Sequence, residues 1–199
     1  ELQRLENAIM NEQKTGIKPD IVGKSAVEIA ELAGIPVLEN TKLIIAEISG
    51  VGSDYPLSRE KLSPVLALVK AQSTKQAFQI CEDTLHFGGL GHTAVIHTED
   101  ETLQKDFGLR MKACRVLVNT PSAVGGIGDM YNELIPSLTL GCGSYGRNSI
   151  SHNVSATDLL NIKTIAKRRN NTQIFKVPAQ IYFEENAIMS LTTMDKIEK

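Results

Sequence analysis

Three features of this chain could do chemistry: a glycine-rich loop, a histidine behind a run of glycines, and a carboxylate between two cations. The loop is Gly141-Cys-Gly143-Ser-Tyr-Gly146, a literal GxGxxG. A dinucleotide fingerprint needs that motif to open a helix whose N-terminus holds a pyrophosphate, with an acid about 20 residues on. Polar, turn-like residues 147–153 follow here instead, so the context argues against that fingerprint. Two readings stay open, a backbone brought close to some ligand or a plain turn. Cys142 inside the loop is either a nucleophile activated by nearby amides or a small apolar side chain. His92 follows Gly88-Gly-Leu-Gly91 at a strand start, where a side chain can project into a cleft. Glu60 lies between Arg59 and Lys61 and reads, on its own, as surface charge. Cys81 and Cys114 read as core, no CxxC occurs, and no second pair completes a four-ligand zinc site, so no metal is expected.

The elements that must position these residues alternate. Leu2, Leu5 and Ile9 share one helical face over residues 1–11. Ser25-Ala-Val-Glu28 has capping-box spacing and starts a helix that should stop at Gly34. Residues 42–48 and 64–70 form short apolar runs, expected as strands, the first buried on both faces. Ser73-Thr-Lys-Gln76 starts a helix with Phe78, Cys81 and Leu85 on one face, ended by Gly88 and Gly89. A strand over 92–98, a helix over 101–112 with Leu103, Phe107 and Met111 inward, and a strand over 115–119 follow. Strands and helices in this alternation imply an α/β fold with a mostly parallel sheet and flanking helices. The Gly/Pro-rich stretch 120–146 reads as a functional loop. A helix is expected over 155–169, ending in Lys167-Arg-Arg169, and a strand over 173–183, confined to an edge or an intersubunit pairing by Pro178. The chain therefore divides into a domain over 1–170, an arm strand over 171–184 and a tail over 185–199.

Composition removes several classes of function. The 199 residues carry 21 Lys+Arg against 23 Asp+Glu, which leaves no basic excess for a nucleic-acid backbone. No apolar run reaches the roughly 18 residues of a membrane span. Three widely spaced cysteines fit a reducing cytoplasm better than a disulfide framework. Glu1 in place of Met, without a signal-like segment, suggests a piece of something longer.

Several strings together carry a resemblance: Glu60-Lys-Leu-Ser-Pro64, Gly88-Gly-Leu-Gly-His-Thr93, Met111-Lys-Ala-Cys-Arg-Val-Leu-Val-Asn-Thr-Pro121, Gly125-Gly-Ile-Gly128 and Pro136-Ser-Leu-Thr-Leu-Gly-Cys-Gly-Ser-Tyr-Gly146. From about residue 1 to Phe183 the chain resembles the CoA-acylating branch of the aldehyde dehydrogenases, above all the acetaldehyde dehydrogenase part of the bifunctional aldehyde–alcohol dehydrogenases. The resemblance implies the catalytic domain of that fold with its oligomerisation arm. It also implies an enzyme that interconverts acetaldehyde plus CoA with acetyl-CoA through a cysteine thioester, using NAD and CoA. Glu60 matches the glutamate that accepts hydrogen bonds from the nicotinamide ribose. Gly141 matches a glycine at the cofactor end of the site, and His92 a histidine of the acylating branch that positions or deprotonates the CoA thiol. The family nucleophile falls upstream of Glu1, and none of the three cysteines aligns with it, so the 199 residues alone are expected to be inactive. Aldehyde and acyl-CoA substrates, a homo-oligomer, no nucleic acid, no membrane and a cytoplasmic location follow. Two alternatives are a stand-alone acylating enzyme of a bacterial microcompartment and a noncatalytic fragment.

Overall fold

The computed structural model describes residues 1–169. The chain divides into two compact units, Glu1–Leu159 and Leu160–Lys199. The first holds every helix and strand described below. Helix α1 spans Leu2–Ile9, with Leu5 and Ile9 buried and Leu2 half-exposed. Helix α2, Ala26–Ala33, packs on it. The Ser25 side chain accepts from the Glu28 amide while the Glu28 carboxylate accepts from Ser25, and Gly34 closes the helix at φ +63°. A left-handed C-cap is where glycine has no Cβ penalty.

Strands β1 (Ile44–Glu47) and β2 (Val65–Leu68) pair in parallel, Ile44 opposite Val65. Helix α3, Thr74–Gly88, is capped by the Ser73 hydroxyl, and β3 (Gly91–Ile96) follows. Helix α4, Glu101–Arg110, is capped by Asp100, whose carboxylate accepts from the Thr102 and Leu103 amides. Strand β4 (Ala113–Val118) pairs in parallel with β3, Thr93 opposite Arg115. The sheet is thus parallel, as the alternation implies, and forms two two-stranded pairs. One apolar core joins Leu5, Ile9, Ile29, Leu57 and Val65. A second gathers Phe78, Phe107 and Met111 with Cys81 and Leu85, the two rings meeting edge to face at 5.3 Å.

Two expectations need correction. β1 is covered on one face only, because Ala46 is buried while Ile45 is 61% exposed. The helix expected over 155–169 is a single 3-10 turn, Ala156–Leu159, and residues 160–169 carry neither helix nor strand. Asp158 accepts from the Ser155 amide and contacts the His152 ring at 2.8 Å, which closes one turn. Beyond it Asn161, Ile162, Thr164 and Ile165 have poor helix propensity. The basic cluster Lys167-Arg-Arg169 consequently ends no helix. The arm strand over 171–184 and the tail over 185–199 lie outside the described residues. Among the described residues no helix is long and apolar enough to cross a membrane.

Candidate active site

Strand β3 presents His92 on the exposed side of its first turn of chain. Its Nδ1 lies 2.9 Å from the Thr93 hydroxyl. Arg115, on the neighbouring strand, donates from Nε to the same hydroxyl at 3.3 Å and from Nη2 to the His92 carbonyl at 3.0 Å. That Nη2 also donates to the Gly141 carbonyl at 2.8 Å. Arg115 is 4% exposed, so one buried guanidinium ties the histidine to the glycine loop. Such charge-assisted bonds are the stronger kind.

The loop itself is packed against its own chain. Leu140 bridges Asn153 antiparallel, and the Gly141 and Gly143 amides donate to the carbonyls of His152 and Ile150. A Cβ on Gly141 would run into the Ile150 carbonyl. Gly141 is therefore required first by this close approach of two backbones. Gly91, at φ +96°, faces the Cys142 carbonyl in the same way. Ser144–Gly146 forms a 3-10 turn and opens no α-helix, in keeping with the reading against a dinucleotide fingerprint. The buried Asn153 amide donates to the Gly126 and Ile135 carbonyls, each at 2.9 Å, which brings the 125–128 glycines to the same place.

Glu60 sits in a different hollow. Thr15, Gly16, Arg59, Phe87 and Gly88 surround a space of about 250 Å³ beside it, and the Arg59 guanidinium lies 4.2 Å over the Phe87 ring. The neighbouring Lys61 is buried at 6% exposure. Its ammonium donates to the carbonyls of Leu57 at 2.6 Å and Arg59 at 2.8 Å, and burial lowers its pKa despite the opposing pull of Glu60. Leu62 completes the loop in the left-handed region at φ +44°, a conformation costing a side-chain-bearing residue roughly 1–2 kcal/mol. This scaffold leaves Glu60 exposed, and among the described residues its carboxylate makes no hydrogen bond or ion pair. An exposed carboxylate with its acceptor sites free fits a pair of hydroxyls such as a ribose diol. Gly88 lines the Glu60 hollow and Gly91 abuts the 142–146 loop, so Gly88-Gly-Leu-Gly91 links the two places.

None of the three thiols is set up as a nucleophile by its geometry. Burial pushes Cys81 up, with Glu82 adding to it, and burial likewise raises Cys114. The Cys142 thiol points to the Leu140 carbonyl at 3.8 Å. Among the described residues no group of His, Cys, Asp and Glu could hold a metal ion. Sequence reasoning missed Arg115, Lys61 and Asn153. For Arg115 a signal exists, a charge inside the otherwise apolar run Ala113–Val118.

No family model matches the chain. Against individual proteins, it is 52% identical over 183 residues to an aldehyde-alcohol dehydrogenase of Streptococcus pneumoniae, covering 92% of this chain and 21% of that protein. The chain is homologous to a segment of the aldehyde-alcohol dehydrogenases. It spans about a fifth of the length of the aldehyde-alcohol dehydrogenases it matches. An acetylating aldehyde dehydrogenase of Geobacillus thermoglucosidasius superimposes with a TM-score of 0.74 at 38% identity, over 83% of this chain and 38% of that one. A propionaldehyde dehydrogenase of Rhodopseudomonas palustris, with bound CoA and an acylated cysteine, does so with a TM-score of 0.59 at 25% identity, over 75% of this chain and 32% of that one. The α/β fold thus belongs to the acetylating aldehyde dehydrogenases, as the resemblance implied.

Proposed function

We propose that this chain supplies the cofactor-edge and acyl-transfer residues of an acetaldehyde dehydrogenase that interconverts acetaldehyde plus CoA with acetyl-CoA. The observation that carries this reading is the 52% identity over 183 residues to an aldehyde-alcohol dehydrogenase, which favours a bifunctional parent over a stand-alone microcompartment enzyme. When bound, NAD supplies the hydride acceptor, and CoA takes the acyl group from an enzyme thioester. Glu60, on the loop that Lys61 holds, binds the ribose hydroxyls. Gly141 shapes the wall at the cofactor end, its carbonyl fixed by Arg115. His92 acts at the acyl group during transfer to CoA, with its exposed ring and a backbone immobilised by the same guanidinium. The acyl-carrying cysteine is assigned to the part of the enzyme outside these residues, since Cys81, Cys114 and Cys142 lack an activating partner among the described residues.

The domain division stands as part of this proposal, 1–170 catalytic with an oligomerisation arm and tail after it, in a cytoplasmic homo-oligomer. The test is an assay of the protein purified from its natural source with acetaldehyde, NAD and CoA. Acetyl-CoA formation coupled one-to-one with NADH supports the reading. Aldehyde oxidation to the free acid without need of CoA overturns it.

A further inference from the structure

The contacts of Arg115 set more than a backbone. Register places Thr93 directly opposite Arg115 on the paired strands β3 and β4, and the Thr93 hydroxyl then lies between a guanidinium N–H at 3.3 Å and the His92 Nδ1 at 2.9 Å. A threonine hydroxyl offers one hydrogen and two lone pairs, whereas a guanidinium can only donate. Arg115 Nε–H therefore occupies a lone pair. If Nδ1 carried the imidazole proton, the oxygen would receive two donors, and its own hydrogen would have no acceptor among the described residues. If Nδ1 is bare, the hydroxyl hydrogen goes to it, and the Thr93 oxygen and the His92 Nδ1 are both satisfied. The adjacent cation also polarises the O–H bond, which makes the oxygen a better donor and a poorer acceptor.

We infer that Thr93 and Arg115 are positioning residues that hold neutral His92 with its proton on Nε2, so that the exposed ring edge offers a hydrogen-bond donor and not a base. This rests on the acyl-transfer role proposed for His92. In that step the CoA sulfur forms a bond to the acyl carbon, the bond from that carbon to the enzyme cysteine breaks, and the CoA thiol proton ends on the departing cysteine sulfur. Nε2–H donates to the acyl oxygen while negative charge builds there and takes no proton from the thiol. A single donor of this kind accounts for about 10²–10³ in rate.

The test reads the tautomer directly, apart from any activity. The full chain is labelled with ¹⁵N, and long-range ¹H–¹⁵N correlations of its four histidines are recorded above the ordinary titration range of imidazole. The His92 signals are assigned by their loss in His92→Gln. The expected pattern has a protonated Nε2 and a bare, hydrogen-bonded Nδ1. Thr93→Ser keeps it, and Thr93→Val moves it toward the mixed tautomers of a free imidazole. A wild-type His92 with protonated Nδ1, or already mixed, overturns the inference, as does a Thr93→Val pattern unchanged from wild type. Failure of the acetaldehyde assay alone would leave this pattern standing and remove only the proposed reaction.

Discussion

Arg115 donates to the Gly141 carbonyl across 26 residues of chain at 2.8 Å, and with the same nitrogen to the His92 carbonyl at 3.0 Å. The cation is buried and all its partners are neutral oxygens, Thr93 Oγ1 and the two carbonyls. Burying a charge is costly unless it is well hydrogen-bonded. What the arrangement secures is the relative position of the histidine and the glycine loop.

Arg115→Met keeps much of the side chain's bulk and removes its donors. The His92 and Gly141 carbonyls then lose a charge-assisted partner, for an expected loss of about 2–3 kcal/mol. Urea unfolding should show a lower midpoint with a similar slope. An unchanged midpoint would mean that the guanidinium is not what holds the loop.

Gly91→Ala and Gly108→Ala should act in opposite directions. A Cβ at Gly91 meets the Cys142 backbone at a positive φ, a combination expected to cost about 2 kcal/mol or more. Gly108 lies inside α4 with open space where its Cβ would go, so alanine there should stabilise by about 0.5–1 kcal/mol. Thermal melts of the two variants check the pair, and a shift of the same sign in both would contradict the packing described.

Ser25→Ala removes the hydroxyl that caps α2 and leaves the Glu28 amide without its partner. A loss of about 1 kcal/mol is expected, the usual worth of such a cap. Threonine at the same position should retain most of it in chemical denaturation.

Lys61 gives stability a definite pH dependence. Its pKa is lowered in the folded state by burial, so between that lowered value and its ordinary 10.5 the unfolded chain binds more protons. Stability contributed at this position therefore rises with pH through that window, and the penalty of the buried charge is fully present below it. A neutral amine still has donors for the Leu57 and Arg59 carbonyls. Compared with Lys61→Met, the wild type should gain stability as pH rises toward 10.5. A difference that is flat or falls with pH would show that Lys61 is not desolvated.

Much of this fold is legible before any coordinates. The Ser25 and Ser73 caps, the Gly34 stop and the apolar faces of Phe78, Phe107 and Met111 are local signals, and the elements follow them. Arg115 and Lys61 were opaque because burial of a charged side chain depends on which carbonyls the tertiary fold brings near. The helix expected over 155–169 stops after one turn because contacts with His152 and the Ser155 amide occupy Asp158 there. His92 and Gly141 could be named from their motifs. Their connection through Arg115 required the register of β3 on β4.

The central claim is that His92 serves acyl transfer to CoA. It is tested by placing His92→Ala in the natural gene, purifying the protein and measuring the two half-reactions separately. The single-turnover NADH burst with acetaldehyde reports thioester formation, and steady-state turnover with CoA reports transfer. The account predicts a burst close to that of the wild type and CoA-dependent turnover lower by about 10²-fold or more. Equal losses in both would contradict it.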